Sequence, residues 1–390
     1  MPSVSPQRST GSRSGRRVAL LSTYPPKLCG LATFAAALEA ELTRAGDDVT
    51  IVAIVDRRDD LQLPRSRYQL VNGVPSSVRD TADVLSGADV AIVQHEYGIY
   101  GGTDGDEVID VLAALSVPAI VVLHTVPSAP TMHQRTVLEA VCDLAARVVV
   151  MTTAASARLT SGYTVDESKV VTIPHGASPP GEPRPERAGD EQRPQLLTWG
   201  LLGPGKGIEH AIRAVSLLQD VRPRIRYTVA GATHPKVFAR DGDGYRQSLI
   251  REAWATGVPN FVRFDDSYRD ITELMRFVSS ASLVVLPYDS RDQVTSGVLV
   301  DAIAAGKPVV ATAFPHAVEL LSGGAGIVVP HGDPVALAAA IRDAVTDPGL
   351  LEAMAARARV IAPSLSWRAV TAQYRGLCEA LASTATAIAI

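Results

Sequence analysis

Short runs of β-branched residues alternate with longer Ala- and Leu-rich segments along almost the whole chain. In the first half, 17–21, 49–55 and 90–94 have the composition of buried strands, whereas 31–44 and 131–145 have the composition of helices. Strands that alternate with helices predict βαβ units around a parallel sheet that is covered on both faces. The predicted fold class is therefore α/β.

The alternation stops at a stretch rich in Pro, Glu, Arg and Gly between 177 and 194, and it starts again at 195. Such a stretch is typical of an exposed linker, and 390 residues are more than one average domain needs. We therefore predict two Rossmann-like, doubly wound domains that face a central cleft. The predicted divisions are a disordered leader 1–15, a first domain 16–180, a linker 181–195, a second domain 196–365, a C-terminal helix 366–380 that packs back toward the first domain, and a tail 381–390.

Composition excludes several classes of protein. The net charge of -4 and the pI of about 6.1 do not indicate a nucleic-acid partner. The three cysteines lie far apart without metal-binding or disulfide spacing, which favours a reducing, cytoplasmic location. No apolar run approaches the roughly 20 residues of a membrane span, and the leader lacks the apolar core of a secretory signal.

Ligands of open parallel sheets bind outside the carboxyl ends of the strands, so the loops after the strands are the places to search. In the first domain, Gly30 ends the first such loop and enters a helix, while His95 and Glu96 follow the strand 90–94. His124 follows the strand 119–123 at the predicted cleft, a position that favours catalysis for this residue. For Gly30, His95 and Glu96, the sequence leaves a structural and a functional interpretation open.

In the second domain, a Gly-rich turn from Trp199 to Gly207 joins a strand to a helix and carries Lys206 beside Gly205. A lysine in such a turn is suited to neutralise a phosphate, although the spacing is not that of a Walker P-loop. A second feature follows at 287–310, where a strand, a polar loop, a helix and another strand succeed one another. The helix begins near Ser296, and its amino end is a further predicted phosphate site.

The stretch 287–310 resembles the donor-site signature of family 4 retaining glycosyltransferases of GT-B fold, which are group 1 glycosyltransferases. That signature reads Glu-x7-Glu and continues as Ala-x-Ala-x-Gly-x-Pro-Val-Val. Gln293 stands at the first Glu, Asp301 at the second, and 302–310 matches the remainder. The resemblance extends to the Gly30 loop, His124, the Pro-His-Gly at 174–176, the Gly-Lys-Gly turn and the Ser-Trp at 366–367, so it covers nearly the whole chain.

The resemblance implies a role for each residue of this stretch. Lys206 would neutralise part of the donor diphosphate, Asp301 would accept hydrogen bonds from the ribose, and Gln293 would face the donor sugar. Backbone N–H groups at the positive end of the helix would hold the diphosphate itself; they belong to Thr295, Ser296, Gly297 and Val298, with Gly205 in the neighbouring turn. No metal and no cofactor are then required.

Two positions depart from the family pattern. The first acidic position is Gln293, which keeps hydrogen bonding without charge, and the usual arginine before the Gly-Lys-Gly turn is Leu201. Candidates to replace the missing cation are Arg291 and Lys27, and candidates for the missing carboxylate are Asp289 and Asp292. A separate Asp-x-Asp string at 241–243 is interpreted as a surface loop and not as a metal site.

The predicted activity is the transfer of a hexose, with retention, from a nucleotide sugar of the GDP-mannose or UDP-glucose type. The predicted partners are this donor and a carbohydrate, lipid-linked or small-molecule acceptor hydroxyl. The predicted location is the cytoplasm, with the inner membrane face as an option for a lipid acceptor. Two alternatives stay open: a GT-B sugar-nucleotide epimerase, and a catalytically idle sugar-binding scaffold.

Overall fold

The computed structural model describes residues 15–57, 68–182, 193–267 and 269–388. Its strands are Arg17–Ser22 (β1), Asp48–Val55 (β2), Tyr68–Val71 (β3), Val90–His95 (β4), Ala119–Leu123 (β5), Arg147–Val150 (β6), Val170–Thr172 (β7), Gln195–Trp199 (β8), Arg226–Ala230 (β9), Val262–Asp265 (β10), Leu283–Leu286 (β11), Val309–Thr312 (β12) and Gly326–Val329 (β13).

The α-helices are Gly30–Arg44 (α1), Pro75–Ser86 (α2), Glu107–Ala113 (α3), Met132–Leu144 (α4), Thr153–Gly162 (α5), Ile208–Ser216 (α6), Pro235–Asp241 (α7), Gly244–Ala255 (α8), Ile271–Ser279 (α9), Gly297–Ala304 (α10), Pro315–Leu321 (α11), Pro334–Thr346 (α12), Pro348–Leu365 (α13) and Trp367–Ile388 (α14). None of the helices in the described ranges combines the length and the apolarity needed to cross a lipid bilayer.

The first sheet has seven strands in the order β3-β2-β1-β4-β5-β6-β7. Strand β1 pairs in parallel with β2 on one side and with β4 on the other, so that Leu20 lies opposite both Ile51 and Ile92. Every residue of β4 is buried, as expected for a strand that helices cover on both faces. Strand order reverses between β1 and β4, which is the position where ligands bind in doubly wound sheets.

The second sheet has six strands in the order β10-β9-β8-β11-β12-β13, and each neighbouring pair is parallel. Alternate residues of β11 face opposite sides: Leu283 and Val285 pack with α6, whereas Val284 and Leu286 pack with α10. Strand order reverses between β8 and β11. The predicted α/β fold with two doubly wound parallel sheets is confirmed.

The described residues fall into two compact units. The first unit contains the residues up to Val122, Thr131–Val148 and those from Tyr374 onward, and the second contains Leu123–Pro130 and Val149–Gln373. The predicted leader lies almost entirely outside the described residues, and so does most of the predicted linker, because 1–14 and 183–192 are not described. The predicted domain boundaries and the predicted cleft stay predictions.

Several details of the secondary structure differ from the sequence prediction. Strand β3 and helices α2, α3 and α7 were not predicted, because β3, α3 and α7 are short and α2 has few large apolar residues. Helix α14 continues to Ile388, so a helix end at 380 and a tail over 381–388 are wrong. The Ala-rich composition of that end explains the extension, since alanine has the highest helix propensity.

Candidate functional site

The glycine-rich turn after β8 is held against the end of β11. The backbone N–H of Asp289 donates to the Gly205 carbonyl at 3.0 Å, and Gly207 has a φ of +60° in the left-handed region. A side chain at Gly207 would overlap the carbonyl oxygen of Pro287. The turn therefore needs glycine at 207, both for its backbone conformation and for its approach to the strand end.

The ammonium of Lys206 lies over an aromatic ring at this strand end. Its Nζ is 4.3 Å from the centroid of the Tyr288 ring, and that ring stacks on Phe314 with centroids 5.1 Å apart. Burial lowers the pKa of Lys206 from its usual value. Among the residues that the structure describes, no carboxylate lies within ion-pair distance of Nζ. The site thus holds a desolvated cation that a ligand anion can neutralise.

Ser296 forms the amino-terminal cap of α10. Its Oγ accepts a hydrogen bond from the N–H of Leu299 at 3.3 Å, and its own N–H donates to Nδ1 of His316 at 2.9 Å. In the first turn, helix geometry leaves the amides of Gly297 and Val298 without intrahelical acceptors. These two amides are therefore available to an anion. The amide of Ser296, which was predicted to bind phosphate as well, is instead bonded to His316.

The loop from Asp292 to Thr295 is anchored by α5. Thr152 Oγ1 donates to the Val294 carbonyl at 2.9 Å, and both residues are buried. Arg158 donates to the Asp292 carbonyl at 3.1 Å and to the Val126 carbonyl at 3.0 Å. One guanidinium nitrogen thereby joins the predicted donor loop to the segment that follows His124.

The anchoring helix is itself fixed from α11. The carboxylate of Glu319 accepts hydrogen bonds from the backbone N–H groups of Thr153 and Ala154, each at 2.9 Å. A carboxylate at this position satisfies two amides at the amino end of α5 and favours the helix dipole. The loop before α10 is consequently held by residues that lie more than a hundred positions away in sequence.

We expect Thr152→Val to reduce the free energy of unfolding of the second unit by about 1–3 kcal/mol. Valine keeps the shape of threonine, yet the Val294 carbonyl and the Ala155 N–H, which Thr152 also caps, both lose their partner. Urea denaturation followed by tryptophan fluorescence tests this, because Trp199, Trp254 and Trp367 all lie in the second unit. Thr152→Ser retains the hydroxyl and is the matched control; equal midpoints for all three proteins would refute the anchoring role.

Asp301 is the fifth of the eight residues of α10 and is partly buried. Burial raises the pKa of its carboxyl to about 7, although a backbone hydrogen bond from Ser178 acts in the opposite direction. The protonated carboxyl can donate a hydrogen bond, whereas the ionised carboxylate can only accept. Its role toward a ribose stays a prediction.

The raised pKa of Asp301 predicts a pH dependence of stability. Between about pH 4 and pH 7 the folded state holds a proton that the unfolded state has released, so stability falls as pH rises through this window. We expect the free energy of unfolding of Asp301→Asn, relative to wild type, to increase by roughly 2–3 kcal/mol between pH 5 and pH 8. Urea titrations at several pH values measure this difference, and a constant difference would contradict the assignment.

Glu209, His210 and Asp289 bring their ligand atoms within 4.8 Å of one another, a donor set of the kind that binds divalent metals. Nε2 of His210 is 3.1 Å from Asp289 Oδ1, while its Nδ1 is buried without a partner among the described residues. A metal-bound histidine normally donates its other N–H to an outer acceptor. We therefore interpret the contact as a hydrogen-bonded pair that fixes Asp289, and metal independence stays a prediction.

The predicted site residues do not all lie in one unit. The second unit contains Lys206, Asp301, the loop 293–298 and half-buried His124, which directly follows β5. Gln293 donates from Nε2 to the Thr295 carbonyl at 3.0 Å, so its amide already supports the loop. Arg291 is exposed near this loop. The Asp-x-Asp string forms the junction of α7 and α8, which agrees with its interpretation as a loop.

Four candidates belong to the first unit. Gly30 is exposed at the start of α1, and a Cβ there would meet nothing within 4 Å. His95 is fully buried at the end of β4, and burial lowers its pKa to about 4. Glu96 follows it, half-buried, and Lys27 Nζ is 3.5 Å from Asp56 Oδ2. Because the His95 ring is buried, it is less accessible to a ligand than its position at the end of a strand suggests. The predicted roles of these residues stay predictions.

Sequence reasoning missed four residues of the site. Thr152, Arg158 and Glu319 act through contacts that depend on the fold, and no local pattern marks them. His316 could have been found, since it lies at the start of α11, four residues after the carboxyl end of β12.

Part of the chain is similar in sequence to a known family of proteins. Residues 182–361, somewhat less than half of the chain, match the sequence model of the family Glycosyl transferases group 1. A glycogen synthase of Mycobacterium tuberculosis is 31% identical over 180 residues, which are 45% of this chain and 40% of that protein. A D-inositol 3-phosphate glycosyltransferase of Thermobifida fusca is 28% identical over 59% of this chain and 54% of its own length. The chain thus spans less than two thirds of these curated relatives.

The fold is also found among solved structures. Alr3699/HepE of Anabaena, determined in complex with UDP, superposes with a TM-score of 0.74 at 18% identity, covering 94% of this chain and 100% of that one. The two Rossmann-like parallel-sheet units therefore have the GT-B fold.

Proposed function

We propose that this protein is a metal-independent, retaining glycosyltransferase that moves a hexose from a nucleoside diphosphate sugar to a hydroxyl group. The observation that carries the proposal is the placement of two groups at the switch point of the second sheet: the desolvated ammonium of Lys206 follows β8, and the amides of Gly297 and Val298 follow β11. An ammonium and a helix amino end together suit a diphosphate. The group 1 match over this same unit supports the assignment.

UDP-glucose is the donor we favour over GDP-mannose. Support comes from the structural neighbour of Anabaena, which has been determined with UDP and with UDP-glucose. The relatives named as a glycogen synthase and an inositol-phosphate glycosyltransferase suggest a carbohydrate or polyol acceptor. A lipid-linked acceptor at the inner membrane face stays an option. The three cysteines, none of them in a disulfide, support a reaction in the cytoplasm.

The proposed reaction exchanges one glycosidic bond for another. The acceptor oxygen forms a bond to the anomeric carbon of the donor while the bond from that carbon to the diphosphate oxygen breaks, and the acceptor proton passes to the leaving phosphate. Lys206 and the two amides of α10 would stabilise the charge that develops on the leaving group. Attack from the face of the departing phosphate retains the anomeric configuration and does not require a pair of catalytic carboxylates. His124 would lie toward the sugar.

Calorimetry with UDP, GDP, UDP-glucose and GDP-mannose tests donor binding, and ¹H NMR of the product then reports the configuration of the new bond. We expect UDP and UDP-glucose to bind and the product to keep the donor configuration. Inversion would exclude the retaining mechanism. Isomerised donor formed without any acceptor would instead establish the epimerase, and binding without turnover against a panel of sugar acceptors would favour the scaffold.

A further inference from the structure

His316 joins both ends of the loop that precedes α10. Its ring Nδ1 accepts a hydrogen bond from the Ser296 N–H at 2.9 Å, and the backbone N–H of His316 donates to the Gln293 carbonyl at 3.4 Å. Ser296 is 2% exposed and His316 is 4% exposed, so water does not compete for the contact between them. His316 thereby sets the conformation of the chain where α10 begins.

The contact with Ser296 defines the protonation of the ring. An N–H can donate only to an unprotonated nitrogen, so Nδ1 carries a lone pair and the proton of the neutral ring is on Nε2. Burial and the nearby ring of His175 lower the pKa of His316 to about 3. The ring therefore stays neutral at physiological pH, and Nδ1 remains an acceptor there.

The position of the Ser296 amide determines the direction of the next two amides, because successive peptide planes in a first helical turn move together. Without His316, the buried Ser296 N–H would be left unpaired, or the junction would rotate to reach another acceptor. A rotation would turn the amides of Gly297 and Val298 away from a bound anion. Packing restricts the junction further, since a Cβ at Gly297 would lie 3.0 Å from His175 Nε2.

We propose that His316 is a positioning residue of the donor site: by accepting the Ser296 N–H through Nδ1, it aims the amides of Gly297 and Val298 at the diphosphate. This inference rests on the proposed function. His316 does not bind the ligand through Nδ1, and its effect is confined to the phosphate part of the nucleotide.

Two substitutions separate the two nitrogens of the ring. In His316→Asn the side-chain oxygen lies about where Nδ1 lies and can accept the Ser296 N–H, whereas in His316→Gln the longer amide reaches the place of Nε2. We measure the affinities of UDP and of uridine for wild type and both variants. His316→Gln should bind UDP at least about tenfold more weakly with uridine binding unchanged, and His316→Asn should retain UDP binding within about threefold.

Each outcome decides one question. Wild type that does not bind UDP, UDP-glucose or GDP contradicts the proposed function itself. If wild type binds UDP and His316→Gln binds it equally well, the positioning role is overturned. It is also overturned if His316→Gln retains UDP affinity that His316→Asn loses. Equal losses for UDP and uridine overturn it as well, because the effect would not be confined to the phosphates.

A measurement on the wild-type protein covers the case in which the variants fail to fold. With ¹⁵N-labelled histidine, the Nδ1 signal of His316 should be that of an unprotonated nitrogen from pH 5 to pH 8, with and without saturating UDP. A protonated Nδ1 in the UDP complex would overturn the inference, since the Ser296 contact would then be broken when the ligand binds.

Discussion

Lys206→Met is expected to weaken UDP-glucose binding by about 30- to 100-fold and to reduce kcat/KM for transfer by about 100- to 1000-fold. Methionine keeps the length of the side chain and its contact with the Tyr288 ring, but it removes the charge. The ammonium is desolvated and without a carboxylate partner among the described residues, so its interaction with a phosphate is not offset by the loss of an existing ion pair. The larger effect on transfer follows because charge on the leaving diphosphate grows in the transition state.

The matched control is Lys307→Met. Burial also lowers the pKa of Lys307, but this residue precedes β12 and lies at the amino edge of the second sheet, away from the strand ends that carry the site. The UDP-glucose affinity of Lys307→Met, measured by calorimetry, and its initial rate of transfer should both lie within about twofold of the wild-type values. If both variants lose the same affinity, the loss reports general destabilisation, and the phosphate role of Lys206 is rejected. Uridine, which has no phosphate, should bind wild type and Lys206→Met equally.

Gly207→Ala is expected to destabilise the second unit by more than about 3 kcal/mol and to abolish measurable UDP binding. Its φ of +60° already disfavours a side chain, and the added methyl group would overlap the Pro287 carbonyl oxygen. Neither backbone can withdraw easily, since Gly207 leads directly into α6 and Pro287 follows β11. The turn would have to separate from the strand end, and Lys206 would move with it.

Gly205→Ala separates the effect of backbone strain from the effect of the overlap with the Pro287 carbonyl. Gly205 also has a positive φ, of 88°, but a Cβ there would meet nothing within 4 Å. We expect a loss of only about 1–2 kcal/mol from backbone strain, measured by the shift of the urea midpoint. Similar losses at 205 and 207 would mean that the contact with Pro287 contributes nothing to the turn.

The fold was predictable because most strands and helices carry strong periodicity. Strands β1, β2 and β4 and helix α1 lie within one residue of the predicted 17–21, 49–55, 90–94 and 31–44. The rule that ligand sites follow the carboxyl ends of strands identified Lys206 and the loop before α10. The short strand β3 and the polar helix α2 were not predicted, because their stability comes from packing on neighbouring strands and not from their own composition.

The site was less predictable than the fold. Sequence patterns named the residues that offer charge or amides, such as Lys206 and Gly297, since these occur within compact motifs. The hydrogen bonds that hold the loop before α10 come from Thr152, Arg158 and His316, whose partners are fixed only by tertiary structure. The same reason explains Ser296: its sequence position indicates phosphate binding, yet the folded chain uses its amide for His316.

The anchoring of the donor loop by α5 bears on how this protein can be divided. The segment that matches the glycosyltransferase family begins at 182, whereas Thr152 and Arg158 precede that residue. A fragment cut at the family boundary would keep Lys206 and every amide of α10 but would lose the supports of the 292–295 backbone. The start of the family match and the start of the segment that supports the loop by hydrogen bonds therefore differ by about thirty residues. A shuffled or truncated donor-binding fragment would have to include α5.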